Sequence, residues 1–187
     1  MYKILFALLA VAGMTAATYA QQKQDMNKSD HKILVAYFSA TGTTARAAEK
    51  VAAATGGELY AVTPADPYTA ADLDWHNKQS RSSVEMNDPK ARPAIGGKKL
   101  DASGYDVIFI GYPIWWNLAP RIIETFIESH GLKGKTVIPF ATSGSSGISN
   151  SVAALKKAYP GLDWKEGKLL NRMNESAVRE WIGKLEY

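Results

Sequence analysis

Nine residues, YFSATGTTA (37–45), carry a high density of small hydrogen-bonding groups. They follow an apolar run and precede the helix-like segment ARAAEKVAAAT (45–55). Small residues let backbone N–H groups turn towards an anion, hydroxyls add donors, and the positive end of the following helix favours a phosphate. Helix capping is the alternative interpretation, but a cap needs one hydroxyl rather than several. The predicted phosphate ligands are Ser39, Thr41, Gly42, Thr43 and Thr44.

A second unusual stretch is YPIWWNLAP (112–120), which follows another apolar run. Two adjacent tryptophans on a loop do not both pack easily into a core, so at least one is expected to present its face to a ligand. Such a face stacks well on a flat heteroaromatic ring. A core tryptophan beside an exposed one is the alternative. The predicted ring-binding residues here are Pro113, Ile114, Trp115, Trp116 and Asn117.

A third stretch, TSGSSGISNS (142–151), is rich in serine and glycine and also follows an apolar run. Its backbone can approach a ligand closely and offer N–H donors to ring carbonyls, although an ordinary flexible loop has the same composition. A flat ring that carries one phosphate would use all three loops, and FMN is such a ligand. The predicted ligands in this loop are Thr142, Ser143, Gly144, Ser145 and Gly147.

Four apolar runs predict strands that are buried on both faces, and a weaker fifth strand is predicted within residues 162–170. Segments with helical periodicity alternate with them, which predicts a three-layer α/β fold with helices on both faces of a parallel sheet. Five strands favour a doubly wound sheet of order 2-1-3-4-5, in which ligands bind beyond the carboxyl ends of the strands. The four stronger strands are KILVAYF (32–38), GELYAVT (57–63), DVIFIGY (106–112) and TVIPFAT (136–142).

The composition excludes several classes of site. The chain has no cysteine, so disulfides, thiolate metal sites and cysteine nucleophiles are absent, and the three histidines have no metal-ligand spacing. Neither GxGxxG nor GxxxxGK[ST] occurs. The net charge of +4 comes without a basic cluster that interleaves aromatic residues, so no nucleic-acid partner is predicted.

The first residues have the pattern of a secretory signal. Lys3 precedes the apolar stretch ILFALLAVAG (4–13), and small residues stand at 18 and 20. We therefore predict a signal peptide over 1–20, a polar linker over 21–31 and one folded domain over 32–187. The mature protein is expected to be exported, periplasmic or extracellular, without a stable membrane span after cleavage.

The three motifs together resemble the flavodoxin-like family, in a bacterial branch with YFSxTGxT, GYPIWW and TSGxSG. They stand here at 37–44, 111–116 and 142–147, and the likeness extends from Lys32 to the C-terminus. The resemblance implies a flavodoxin-like fold and non-covalent FMN, with the first loop on the phosphate and the other two on the isoalloxazine. Two features depart from the family: Thr43 stands where many members have asparagine, and the chain is mildly basic rather than acidic.

Three functions remain open from the sequence. The leading hypothesis is electron transfer through FMN with a redox partner protein. An NAD(P)H-dependent quinone reductase, with small quinone or nicotinamide substrates, and a flavin-free binding module are the alternatives. The long segment 64–100, with a possible helix over 69–86, is either a wall over the cleft or a packed helix and loop. Its candidate residues are Tyr68, Trp75, His76, Arg81 and Arg92.

Overall fold

A computed structural model describes residues 31–187. The predicted signal peptide and residues 21–30 of the predicted linker lie outside this range. Six strands form a single sheet. They are β1 (Ile33–Tyr37), β2 (Glu58–Ala61), β3 (Val107–Pro113), β4 (Thr136–Thr142), β5 (Asp163–Trp164) and β6 (Lys168–Leu169). The helices are α1 (Thr43–Thr55), α2 (Arg81–Asn87), α3 (Arg121–Ser129), α4 (Ser149–Ala158) and α5 (Glu175–Gly183).

The sheet is parallel and its order is β2-β1-β3-β4-β5, which confirms the predicted fold and strand order. The predicted fifth strand is divided into β5 and β6, which both pair with β4. Between the two pairings, Ile138 and Pro139 of β4 face three residues of the edge, 165–167. The extra residue on the edge side makes this a bulge. It lies opposite Pro139, which has no N–H to donate to the ladder.

Each face of the sheet is covered by two helices. The central strands are therefore buried on both sides, which is why their sequences are apolar almost without interruption. One face packs under α1 and α5 through residues such as Val35, Phe109 and Val51. The other packs under α3 and α4 through residues such as Ile110 and Phe126. The sheet thus holds the carboxyl ends of β1, β3 and β4 in a rigid frame.

Local residues define the ends of two helices. Gly56 ends α1 in the left-handed conformation, with φ of 70°, and its N–H donates to Ala52 O at 2.8 Å. Asn174 caps α5, because its side chain accepts a hydrogen bond from the N–H of Ala177 at 2.9 Å.

The helix predicted over 69–86 is wrong in its first two thirds. Residues 70–79 form turns, and α2 begins only at Arg81. Short polar side chains bind nearby backbone groups in this stretch: Asp74 accepts from the N–H of His76, and Asn77 accepts from the N–H of Gln79. Such local bonds compete with helical ones and favour turns. No helix within residues 31–187 combines the length and apolar character needed to cross a bilayer.

Candidate functional site

The loops after β1, β3 and β4 meet at one edge of the sheet and line a cleft of about 770 Å³. Parallel strands all end at this edge, so the topology alone brings the three loops together. Of the predicted ligands, twelve line the cleft: Ser39, Thr41, Thr43, Thr44, Pro113, Ile114, Trp115, Trp116, Thr142, Ser143, Gly144 and Ser145.

Three predicted ligands do not line this cleft. Gly42 is the N-cap of α1 and has φ of 83°, a left-handed conformation that glycine adopts without strain. Asn117 has φ of 66°, and its carbonyl accepts a hydrogen bond from the side chain of Asn150 at 3.3 Å. Gly147 is exposed in the loop that leads to α4. Gly42 and Asn117 therefore shape the loops rather than face the cleft.

The hydroxyls of the loop after β1 differ in their hydrogen-bond partners. No side chain caps α1, so the hydroxyls that precede it are not used for capping, contrary to the alternative interpretation of this motif. The hydroxyl oxygen of Ser39 is buried and has no hydrogen-bond partner. The hydroxyls of Thr44 and Thr142 lie 2.8 Å apart and tie this loop to the end of β4. A buried unpaired hydroxyl beside an uncapped helix N-terminus is suited to an anionic ligand.

The two tryptophans of the second loop have different surroundings. Residues 115–118 form a tight hairpin, in which Trp115 and Leu118 exchange backbone hydrogen bonds of 3.0 and 2.9 Å. Trp115 is half-buried and packs edge-on against Phe38 and Tyr68, with ring centroids 5.5 and 5.4 Å away. Trp116 is 46% exposed. One tryptophan thus supports the floor of the cleft, and the other presents its ring to solvent and to the cleft.

The backbone of Trp116 is strained. Its φ is 44°, and a bulky residue rarely adopts the left-handed region because its Cβ crowds the following carbonyl. Such strain is held by the surrounding structure and concentrates at functional sites. Here the hairpin hydrogen bonds fix it.

The loop after β4 is held in place by Asn171, which follows β6. Its side chain accepts a hydrogen bond from the N–H of Ser143 at 2.8 Å and donates one to the carbonyl of the same residue. The Ser143 hydroxyl in turn accepts from the N–H of Ser145 at 3.2 Å. Sequence reasoning missed Asn171, because no local pattern links it to a loop 28 residues earlier.

The segment 64–100 forms one side of the cleft, through Leu73, Trp75 and Ser82. Of the two interpretations of this segment, the structure therefore favours the wall. Trp75 was predicted as part of it, whereas Leu73 and Ser82 were not. The loop residues Ala40 and Ser146 complete the lining.

The two arginines of this segment do not reach the cleft. Arg81 binds Glu85, with Nε to Oε1 at 2.7 Å, and lies over the ring of Tyr68 at 4.1 Å. Arg92 binds the carboxylates of Glu124 and Glu128 at 2.9 Å each. Both hold the wall segment in place and are not positioned for a cleft ligand. Burial, and then the hydrogen bond to Glu85, raises the pKa of Tyr68.

The sequence from 32 to 185 matches the family model for flavodoxin. The chain belongs to the flavodoxin family. Among curated proteins, none matches the chain.

Several solved structures resemble the chain. A candidate flavoprotein from Bacteroides eggerthii DSM 20697 is 72% identical, with a TM-score of 0.79 over 82% of this chain and 96% of that chain. A candidate flavoprotein from Bacteroides uniformis ATCC 8492 is 62% identical, with a TM-score of 0.80 over 82% and 99%. A flavoprotein from Lactobacillus acidophilus NCFM, solved in complex with FMN, is 24% identical, with a TM-score of 0.64 over 81% and 99%.

The cleft of this flavodoxin-family protein is uncharged. None of the residues that line it within the described range has an ionisable side chain. A cationic side chain just outside the lining, that of Arg46, donates a 3.4 Å hydrogen bond to the hydroxyl of Thr43. No cluster of acidic and histidine side chains that would hold a metal occurs among residues 31–187. The cleft therefore offers hydrogen-bond donors and aromatic faces, and no ionisable side chain lines it.

Proposed function

We propose that this protein binds FMN non-covalently in the cleft and transfers electrons through it. The observation that carries the proposal is the Ser39 hydroxyl, which is buried and unpaired beside the uncapped N-terminus of α1. The FMN complex of the Lactobacillus acidophilus protein, which shares the fold, supports the same choice of ligand. When bound, FMN supplies the redox chemistry, and the protein binds, orients and tunes it.

The loop after β1 suits a phosphate. The first N–H groups of α1 have no partner within a helix, and no side chain caps them here. Ser39, Thr41 and Thr43 line the same part of the cleft and add hydroxyl donors. The helix dipole contributes about 0.3–2 kcal/mol to anion binding at such a position. Recognition by backbone and hydroxyl donors, without a cation in the lining, favours one phosphate over a polyphosphate.

The rest of the cleft suits a planar ring. A volume of about 770 Å³ falls within the usual range for sites that hold drug-sized ligands. Trp116 offers an exposed aromatic face, and the backbone of 143–146 offers polar groups that Asn171 holds in place. These residues bind and orient the ring and exclude water from one side of it.

Titration with FMN, with riboflavin as the matched control, tests the proposal. We expect saturable quenching of flavin fluorescence by the protein, with FMN bound at least tenfold more tightly because riboflavin lacks the phosphate. Trp116→Leu is expected to lower the affinities for FMN and for riboflavin alike, by about twofold to tenfold, because stacking contributes about 0.5–1.5 kcal/mol. Absence of saturable binding of either ligand would overturn the proposal.

A second candidate function is NAD(P)H-dependent reduction of a small quinone. It is favoured by the wall of Leu73, Trp75 and Ser82, because a walled cleft gives a small substrate a defined space beside the flavin. Oxidation of NADH and NADPH by the FMN-loaded protein, with a quinone supplied, separates the two roles. An electron carrier would turn over neither nicotinamide without a partner reductase, whereas a reductase would turn over at least one.

A further inference from the structure

A second cavity, of about 540 Å³, lies beside the cleft and shares two walls with it. Trp75 and Trp116 line both spaces. We call this space the tryptophan cavity. Its other lining residues are His76, Lys78, Ser83 and Asn87.

The two shared tryptophans are among the most exposed large apolar side chains of the described residues, at 66% for Trp75 and 46% for Trp116. Their rings come from separate elements, the turns before α2 and the hairpin after β3. Exposed aromatic rings that converge on one cavity are typical of a binding site rather than of a core. The left-handed φ of Trp116 adds backbone strain at the same place, which is typical of functional sites.

The polar side of the cavity carries unpaired positive charge. Lys78 forms no ion pair or side-chain hydrogen bond with any residue of the described range. The ring of His76 packs against that of Trp75, with centroids 3.5 Å apart and ring planes tilted by 32°. The nearby carboxylate of Asp74 accepts the backbone N–H of His76 and does not line the cavity. The cavity therefore combines flat aromatic walls with a free cation.

The loop that carries Trp75, His76 and Lys78 is fixed before any ligand arrives. The carbonyl of Asn77 accepts hydrogen bonds from the N–H of Ser80 at 3.0 Å and from the hydroxyl of Ser83 at 2.8 Å. The N–H of Asn77 donates to the carbonyl of Asp74 at 3.1 Å. A loop already ordered in this way loses little conformational entropy on binding.

We propose that the tryptophan cavity is a second binding site, for a planar aromatic ring that carries an anionic group such as a carboxylate or a sulfonate. The ring lies between Trp75 and Trp116, and Lys78 pairs with the anion. The role of this ligand as the small redox partner of the flavin rests on the proposed function. The binding site itself does not, because Lys78, His76 and Asn87 lie outside the flavin cleft.

Calorimetric titration with naphthalene-2-sulfonate, and with neutral 2-naphthalenemethanol, tests the inference on the protein with and without FMN. We expect both probes to bind saturably and the sulfonate to bind more tightly. Lys78→Gln is expected to lower the affinity for the sulfonate by about threefold to tenfold, through loss of one charge contact. The affinities for the neutral probe and for FMN should not change. Lys90→Gln is the matched control, since Lys90 is an exposed lysine of the same segment that does not line the cavity.

Two results would overturn the inference: no saturable binding of the sulfonate, or equal affinities in the wild type and Lys78→Gln. The outcome for FMN is read separately in the same samples. Sulfonate binding that depends on Lys78, without FMN binding, would support the second site and contradict the proposed function. FMN binding without sulfonate binding would support the proposed function and contradict the second site.

Discussion

Replacement of Ser39 by alanine is expected to stabilise the empty protein and weaken FMN binding at the same time. The Ser39 hydroxyl is buried and has no hydrogen-bond partner in the described structure. A buried unsatisfied polar group costs about 1–3 kcal/mol, so its removal is expected to raise the free energy of unfolding by about 1 kcal/mol. For a domain of this size that gain corresponds to a Tm about 2–4 °C higher.

The same substitution removes a donor to the phosphate. A hydrogen bond to a charged group contributes about 1.5–3 kcal/mol, so FMN affinity should fall by about tenfold to 150-fold. Riboflavin has no phosphate, and its affinity should not change. The two measurements are thermal unfolding of the FMN-free protein and fluorescence titration with each flavin.

Ser151→Ala is the matched control. The Ser151 hydroxyl is also buried, but it bonds the hydroxyl of Tyr112 at 3.1 Å and the carbonyl of Ile148 at 2.8 Å. Its removal should therefore lower the Tm and leave FMN affinity unchanged. If Ser39→Ala instead lowered the Tm and left FMN affinity as in the wild type, Ser39 would be a structural residue and its assignment to the phosphate would be wrong.

Three further substitutions test the frame around the cleft. Gly111→Ala places a Cβ about 2.2 Å from the ring of Phe140 and should cost about 3 kcal/mol in unfolding free energy, measured by chemical denaturation. Asn171→Ala removes the hydrogen bonds that hold the loop after β4. The affinities for FMN and riboflavin should fall about fivefold, because about 1 kcal/mol of binding free energy is lost when the loop is no longer held in place, and flavin titration measures this change. Hydrogen bonds from Arg92 lower the pKa of Glu128 in the folded protein. The ionised Glu128 should therefore stabilise the folded protein fully above its unfolded pKa of about 4.3, and this contribution should vanish as the pH falls through the lower folded pKa. The difference in unfolding free energy between the wild type and Glu128→Gln, measured at several pH values, should show the same dependence.

The sequence predicted the sheet well because buried parallel strands are apolar without interruption. β1, β2 and β4 fall within the predicted runs, β3 ends one residue beyond its run, and the predicted order follows from alternation of strand and helix. The prediction that β2 is buried on both faces was wrong, because β2 is an edge strand with mostly exposed side chains. The edge strand was predicted only weakly, since β5 and β6 are short and separated by a bulge opposite Pro139. The helix predicted from residue 69 failed because Asp74 and Asn77 bind nearby backbone instead.

The candidate site was predicted as three loops, and most of its proposed residues line one cleft. The wall residues Leu73 and Ser82, and the clamp Asn171, were not predicted. They come from segments whose local sequence shows no sign of a ligand. Their positions depend on packing between distant parts of the chain, such as the binding of Arg92 to Glu124.

By itself, the sequence determined which loops meet, because in a parallel doubly wound sheet the carboxyl ends of all strands lie at one edge. Only the tertiary structure decided what each side chain does there. It buried the Ser39 hydroxyl without a partner, set Trp115 against Phe38, left Trp116 exposed and brought Trp75 into the lining of the cleft. The physical reason is that periodicity reports local burial, whereas hydrogen-bond pairing and ring contacts depend on residues far apart in the chain.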